Sequence, residues 1–180
     1  MSLVQSAPHF STQEAIDFAE QQFGIRVNAA ALASERDQNF LLRPQVSNGE
    51  GLAYVLKIAN ALEDRAILDM QNQALAHVAS TTEIPTPRLI PSTTGKLIVT
   101  LRDIHTQQHY TRLLTYLPGK PLGDVTPHTA QLLHALGVYL GKLDQALATY
   151  NHPAAHRVIQ WDLRNEIGRA SCRERVCSVV

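Results

Sequence analysis

The stretch "GLAYVLKIAN", residues 51–60, decides how this chain is interpreted. Its alternating pattern is typical of a β-strand, yet Lys57 lies inside the most apolar part of the run. A lone lysine in a strand most often lies on the solvent face. The alternative is that its ammonium group faces an anion in a cleft. The neighbouring segments are needed to choose between these two interpretations.

The composition is that of an ordinary globular chain. The 180 residues are 44% hydrophobic and have a formal net charge of zero, which fits one domain or one and a part. A neutral balance gives no electrostatic reason to expect nucleic acid or a membrane surface as the main partner. No apolar run approaches the roughly 18 residues of a transmembrane helix. The N-terminus lacks a signal-peptide pattern, so we predict a cytoplasmic location.

The segment "EIGRASCRERVCSVV", residues 166–180, differs from the rest of the chain. It holds both cysteines, Cys172 and Cys177, and continues no apolar period from the preceding residues. It also resembles peptide read through from a cloning vector. We therefore predict a non-native tail and leave it out of the fold prediction. Residues 1–165 then contain no cysteine, which suits a reducing compartment.

The N-terminal part predicts a helix followed by strands. In "STQEAIDFAEQQFG", Ser11 as N-cap and Glu14 three positions later form a capping box, and Gly24 supplies a C-cap. Short β-type runs follow, and Asn48-Gly49 indicates a hairpin turn between the second and third of them. The predicted strands cover residues 29–34, 39–44 and 52–59.

The remainder predicts a helix, further strands and a second helical region. Residues 63–80 form an amphipathic pattern, and a short strand is predicted after the prolines of "IPTPRLIP". Two more strands are expected in "KLIVTLRDI" and "YTRLLTYL". Thr126 as N-cap and Pro127 then begin a helix that runs to about Ala148. The prediction is an α+β fold in which a five-stranded antiparallel sheet with a covering helix precedes helices.

One polar residue, Gln71, lies in the middle of the apolar stripe of the helix predicted over 63–80. A desolvated amide without a partner costs about 1–3 kcal/mol. Lys57 comes from the strand just before this helix, so we expect the two side chains to meet at the edge of the sheet. The alternative is an ordinary, partly exposed amide.

The order of these segments resembles the small lobe of aminoglycoside phosphotransferase-like kinases, and within them the hydroxylysine kinase branch. The matching stretches in the predicted sheet and its helix are "SERDQNFLL" (34–42), "YVLKIAN" (54–60), "DMQNQALAHVA" (69–79), "IPTPRLI" (84–90) and "LLTYLPGKPL" (113–122). The segments "LGVYLGKLDQAL" (136–147) and "HPAAHRVIQWDLRN" (152–165) extend the resemblance. It implies a protein-kinase-like nucleotide-binding lobe over 1–117. Residues 118–165 would form a connector and the first helices of an α-helical substrate lobe.

The resemblance also implies roles for individual residues. Lys57 matches the lysine that contacts the α- and β-phosphates of the nucleotide. The loop from Ser34 to Asn39 matches the flap over the phosphates, with backbone N–H groups and either side chain as donors. The hinge, whose backbone would hydrogen-bond the adenine, includes Thr115, Tyr116 and Leu117.

The sequence departs from the family pattern at the partner of the lysine. Kinases of this type place a glutamate in the covering helix, whereas this sequence has Gln71 there and Asp69 nearby. An amide orients an ammonium group but does not neutralise it. Both Gln71 and Asp69 therefore remain candidates for the partner of Lys57.

The catalytic loop of the family is expected beyond residue 165. It comprises an aspartate base, a metal-binding asparagine and a later metal-binding aspartate. Asp162 and Asn165 in "WDLRN" are too closely spaced for that loop, and no histidine precedes the aspartate. His152 and His156 lack an evident third metal ligand. We therefore expect ATP or GTP with Mg²⁺ as cofactors, but no catalytic or metal-binding residue and no phosphotransfer in this chain alone.

The implied activity is phosphorylation of a hydroxyl group on a small, amino-acid-like acceptor such as hydroxylysine. The alternative is a non-catalytic binding or assembly module, such as one end of a larger multidomain enzyme, and nucleotide binding at the hinge distinguishes the two. We also predict self-association through the helix over 127–148, since its apolar stripe would lack the cover of a complete lobe. That stripe comprises Leu132, Leu136, Tyr139, Leu143 and Leu147.

Overall fold

The protein was analysed as a computed structural model, which describes residues 7–45 and 52–158. Three predictions lie outside the described residues: the turn at Asn48-Gly49, the interpretation of "WDLRN" and the tail. Short 3₁₀ turns at Leu122–Asp124 and Pro153–Ala155 flank the last helix. The elements in chain order are α1 (Thr12–Phe23), β1 (Val27–Leu32), β2 (Gln38–Pro44), β3 (Tyr54–Ile58), α2 (Arg65–Thr81), β4 (Leu89–Ile90), β5 (Val99–Arg102), β6 (Gln108–Thr115) and α3 (Ala130–Leu147).

The strands form one antiparallel sheet in the order β1-β2-β3-β6-β4. β5 pairs with the N-terminal part of β6, and β4 pairs with its C-terminal part. The sheet has six strands rather than the predicted five, because the two-residue β4 also pairs with β6. β3 lies between β2 and β6, so Lys57 is in the middle of the sheet. The prediction that Lys57 and Gln71 meet at the edge of the sheet was wrong.

Helix α1 begins and ends where the sequence predicts. The N–H of Glu14 donates to Ser11 Oγ at 3.2 Å, and the N–H of Ser11 donates to the Glu14 carboxylate at 2.7 Å. The Ser11 hydroxyl also donates to Glu14 Oε2 at 2.7 Å, and this bond together with the one from the Ser11 N–H lowers the pKa of the Glu14 carboxyl. Gly24 ends the helix at a φ of 69°, a left-handed conformation that glycine adopts without steric cost.

One face of the sheet is closed by α1. Successive strand residues point to opposite faces, so alternate positions project towards this helix. The largest buried strand residues on this face are each at most 1% exposed, and they are Phe40, Leu42, Leu56, Ile58 and Leu113. They pack against the α1 residues Ala15, Phe18, Ala19 and Phe23. This core sets the register and leaves the alternate residues, including Lys57, on the opposite face.

Helix α2 lies on that opposite face. Its N-cap, Asp64, accepts a hydrogen bond from the N–H of Ala66 at 2.8 Å. Leu68 packs against Ala59 and Ile98 beside the sheet. The predicted covering helix is therefore present, and it covers the face that carries Lys57.

Helix α3 begins three residues after the predicted start. Thr129, rather than Thr126, is the N-cap, and its Oγ1 accepts from the N–H of Leu132 at 3.2 Å. Thr126 also fits the cap preference, but Thr129 directly precedes the continuous helical residues. No helix in the described part of the chain is long and apolar enough to cross a membrane.

The C-terminal half of α3 contacts α2. Ala146 is buried in a small cluster with Val78 and Ile84, and Leu143 packs against it. Of the predicted apolar stripe, four residues are half-buried and Leu147 is 37% exposed. More exposed side chains lie one position away from that stripe, namely Leu133, Val138 and Leu140.

Candidate functional site

A cleft of about 370 Å³ lies between the open face of the sheet, α2 and the end of α3. Its walls are mostly apolar, and a few polar groups converge on it, which is typical of small-molecule sites. Its polar lining residues are Lys57, Gln71, Thr86 and Arg112. The apolar lining includes Leu114 from β6 and Leu143 from α3.

Three polar residues lie side by side across the open face. Lys57 pairs in register with Asn39 on β2 and with Arg112 on β6. Residues paired in this way have Cβ atoms about 4.5–5.5 Å apart. Lys57 Nζ donates to Asn39 Oδ1 at 3.2 Å. The sheet therefore places an ammonium group beside a guanidinium group.

Arg112 is 4% exposed and is held by α2. Its Nη2 donates to Gln71 Oε1 and its Nη1 donates to Asn72 Oδ1, each at 2.8 Å. A longer bond of 3.4 Å joins Nη1 to the Leu68 carbonyl. All three acceptors are neutral, so they orient the guanidinium without neutralising its charge.

Gln71 is thus the partner of Arg112 and not of Lys57, which corrects the predicted pairing. The other candidate, Asp69, accepts from Gln73 Nε2 at 2.7 Å and lies 3.8 Å from His152 Nε2. The planar guanidinium presents several donors in a fork and reaches two adjacent amides of α2. A single ammonium group does not match that pair of acceptors.

The electrostatic environment of the two cations is unusual. Burial lowers the pKa of Lys57, the carboxylate of Asp37 raises it, and the charge of Arg112 lowers it further. Burial also lowers the pKa of Arg112, against the effect of Asp37 and Glu63. Within residues 7–45 and 52–158, neither cation forms an ion pair with a carboxylate. Asp37 thus offsets part of their charge through space, and the two partly desolvated cations still favour binding of an anion.

The loop predicted to cover the phosphates connects β1 to β2. Asp37 Oδ1 accepts from the N–H of Asn60 at 3.1 Å, and the Arg36 carbonyl accepts from Asn60 Nδ2 at 3.3 Å. These bonds fasten the loop to the residues between β3 and α2. Ser34 is exposed and does not line the cleft. The structure therefore brings Asn39 to Lys57 but leaves Ser34 outside this group.

The predicted hinge begins at the end of β6, where Thr115 is the last residue of the strand. The N–H of Thr115 donates to the Arg88 carbonyl, and the N–H of Tyr116 donates to the Ala53 carbonyl, each at 2.8 Å. These bonds attach the segment to the chain on both sides of β6. In the described part of the chain, the N–H of Leu117 has no backbone acceptor. None of the three predicted hinge residues is among those that line the cleft, and Leu117 is the one whose N–H has no backbone partner there.

Arg112 and Asn72 were not predicted as site residues. A signal for Arg112 is present, because it interrupts the apolar strand "YTRLLTYL" as Lys57 interrupts "LAYVLKIA". The pairing of the two positions is set by strand register, which the sequence alone does not give. Asn72 follows Gln71 directly and has no separate signal in the periodicity.

The histidines near the C-terminal end of the described chain have structural partners. His152 Nδ1 accepts from the N–H of Ala154 at 3.1 Å and thereby caps a 3₁₀ turn. His156 Nε2 lies 2.6 Å from Asn151 Oδ1. Over residues 7–45 and 52–158, no group of three His, Cys, Asp or Glu side chains is arranged to hold a metal ion.

Comparison with known sequences identifies the family. The family profile described as "Phosphotransferase enzyme family" (APH) matches residues 30–175. The chain is 31% identical over 167 residues to a hydroxylysine kinase of Danio rerio, an alignment that covers 89% of this chain and 45% of that protein. It is 30% identical over 178 residues to a hydroxylysine kinase of Mus musculus, with coverages of 91% and 46%. The chain thus spans about half the length of the curated relatives it matches.

Two solved structures share the fold. One is the amicoumacin kinase hAmiN in complex with AMP-PNP, Ca²⁺ and Ami, with a TM-score of 0.67 and 18% identity over 84% of this chain and 45% of that chain. The other is a microcompartment-associated aminopropanol kinase, with a TM-score of 0.65 and 13% identity over 89% of this chain and 48% of that chain. These structures confirm the predicted kinase-like fold. The profile match shows that the chain belongs to the phosphotransferase enzyme family.

Proposed function

We propose that this chain is the nucleotide-binding part of an ATP-dependent kinase that phosphorylates a hydroxyl group of a small, amino-acid-like acceptor such as hydroxylysine. The observation that carries the proposal is Lys57, which projects from a central strand into the cleft without an anionic partner among the described residues. We place the end of the nucleotide-binding lobe at residue 117, where the hinge is predicted. The acceptor is inferred from the relatives that are named hydroxylysine kinases.

The order of groups along the strands supports a nucleotide lying with its base towards the hinge. Val55 lies two residues before Lys57 on β3, Leu114 lies two residues after Arg112 on β6, and the two pair in register on the same face as the cations. Two strand residues span roughly 6.8 Å. An adenine against this apolar pair would place the α- and β-phosphates towards the cations. The N–H of Leu117, beyond the end of β6, would then be the hinge donor to the base.

Mg²⁺ would neutralise phosphate charge when bound with the nucleotide. The residues that line the cleft include no carboxylate, the ligand type that Mg²⁺ prefers in proteins. We therefore assign its ligands and the base that accepts the acceptor hydroxyl proton to residues after 165. The described residues would contribute charge and orientation: Lys57 holds the phosphates, and Asn39 orients the ammonium group.

Calorimetric titration of this chain with MgATP and MgGTP tests the nucleotide site. We expect binding by the wild type and a loss of about a hundredfold in affinity for Lys57→Met, equivalent to about 2.7 kcal/mol. Lys96→Met is the matched control, because Lys96 is an exposed lysine in the loop between β4 and β5. Equal affinities of the wild type and Lys57→Met would return Lys57 to a solvent-face role. Failure of the wild type to bind either nucleotide would favour a non-catalytic module.

The acceptor is tested on a full-length protein of this family that contains these residues. We expect ADP release that depends on 5-hydroxylysine and is absent with lysine, which differs only in lacking the hydroxyl group. Lys57→Met in that protein should lower kcat/KM for ATP by ~10²-fold or more. Phosphorylation of 5-hydroxylysine by residues 1–165 alone would contradict the assignment of the base and metal ligands to later residues.

A further inference from the structure

We infer that Arg112 is a second anion-binding residue of the cleft, which with Lys57 forms a cation pair for the phosphate groups. In this arrangement Gln71 and Asn72 hold the arginine, in place of a glutamate that would hold the lysine. The inference rests on the proposed function and adds to it a residue that was not predicted for the site.

Placing two cations side by side lowers the stability of the sheet. Lys57 and Arg112 are directly opposite in register on neighbouring strands, and like charges in such pairs destabilise a sheet. Arg112 is 4% exposed, so its charge is also largely removed from water. A purely structural role would be fulfilled at lower cost by a neutral side chain. An anion in the cleft would offset both the repulsion and the desolvation.

The neighbouring carboxylates form their hydrogen bonds and ion pairs with groups other than Lys57 and Arg112. Asp37 Oδ1 accepts from the backbone N–H of Asn60. Glu63 pairs with Arg36 Nη2 at 3.0 Å. They act on the guanidinium of Arg112 only through space, because neither is within ion-pair distance of it. The hydrogen bond from the neutral N–H of Asn60 leaves the Asp37 charge in place, but this single carboxylate offsets only part of the charge of two cations, so a net positive charge remains.

Some buried donors on residues that line the cleft have no hydrogen-bond partner among the described residues. In the described part of the chain, Arg112 Nε and Thr86 Oγ1 are buried and form no hydrogen bond. Both residues line the cleft, and Thr86 is only 8% exposed. Buried donors in native proteins are normally satisfied by protein, water or a ligand. Phosphate oxygens are strong acceptors for a guanidinium and a hydroxyl group.

The alternative is that Arg112 only anchors α2 to the sheet through Gln71 and Asn72. Anchoring needs the hydrogen bonds but not an unneutralised charge. Gln71→Glu separates the two roles, since the glutamate has the same shape, retains an acceptor for Arg112 and adds a negative charge. An anchored helix would tolerate this change, whereas a two-cation anion site would bind its ligand less tightly.

Calorimetric titration of the whole chain with inorganic pyrophosphate, ATP and adenosine provides the test. We expect Arg112→Met to weaken pyrophosphate and ATP binding tenfold or more and to leave adenosine binding unchanged. Gln71→Glu should weaken pyrophosphate binding several-fold without lowering Tm, and it carries the test if Arg112→Met does not fold. Arg102→Met, on the exposed side of β5, is the control for general loss of positive charge.

The outcomes separate this inference from the proposed function. Wild-type affinity for ATP and pyrophosphate in folded Arg112→Met would overturn the inference and leave the kinase proposal standing. Equal losses for adenosine and ATP would also overturn it, because they indicate an anchor alone. Pyrophosphate binding that depends on both cations, without any gain from the adenosine moiety, would support the inference and contradict the kinase proposal. Absence of pyrophosphate binding by the wild type would overturn the inference.

Discussion

The two faces of the central sheet differ in the polarity and the packing of their side chains. The face against α1 is a closed hydrophobic core in which Phe40, Leu56 and Leu113 are at most 1% exposed. The face towards α2 carries Lys57 and Arg112, which lie directly opposite each other on neighbouring strands beside an open cleft. One residue step along each strand changes the role of the side chain from packing to charge. The hydrophobic core on the closed face supplies the stability that offsets the repulsion between the two like charges on the open face.

This comparison predicts that neighbouring residues of one strand respond very differently to truncation. Phe40→Ala should lower the free energy of unfolding by about 3–5 kcal/mol, because it leaves a cavity in the closed core. That loss is a large part of the roughly 5–15 kcal/mol by which domains are stable. Urea unfolding of the variant and the wild type measures it.

Leu41→Ala is the matched variant on the open face. Leu41 is half-buried and follows Phe40 directly in β2. Truncation there should cost about 1–2 kcal/mol, since less apolar surface is lost from contact. Equal losses for the two variants would show that the open face is as closely packed as the α1 face, and the distinction between the faces would fail.

Helix α3 also presents exposed apolar side chains. Leu133 and Leu140 are 51% and 48% exposed and lie seven residues apart, on one side of the helix. Because the stripe predicted from the sequence is mostly half-buried, we predict concentration-dependent self-association of the chain through Leu133 and Leu140 instead. Sedimentation should show a monomer for the double variant Leu133→Lys and Leu140→Lys, with Gln145→Lys as the control. A wild type that is monomeric at all concentrations would contradict the prediction.

Local signals in the sequence were sufficient for several elements and not for others. The capping box at Ser11 and the C-cap at Gly24 are set by a few adjacent residues, and both are confirmed. The helix over 63–80 was also predicted within two residues of its bounds. Pairings across the sheet depend on tertiary register, so Gln71 was given the wrong partner. Lys57 was identifiable because a cation in an apolar strand is anomalous wherever the strand lies.

The smallest predicted effect concerns the stability cost of Lys57 itself. Its pKa is lowered from 10.5, chiefly by burial. Between the folded pKa and the ordinary value, the unfolded chain binds more protons than the folded chain. The free energy of unfolding therefore rises with pH across that window. Below the folded pKa the full cost of burying the charge is present.

Lys57→Met should consequently raise Tm at pH 7 by a few degrees in the absence of ligand, since it removes a destabilising charge and keeps the apolar stem. The difference from the wild type should shrink as the pH rises from the lowered folded pKa towards the ordinary value of 10.5, because the folded wild-type lysine then loses its proton. Lys96→Met should show neither effect, because Lys96 is exposed. ATP should reverse the order of stability, because it stabilises only the protein that binds it. A lower Tm for Lys57→Met at pH 7 would mean that the hydrogen bond to Asn39 outweighs the buried charge, and the lysine would then belong to the structure of the sheet.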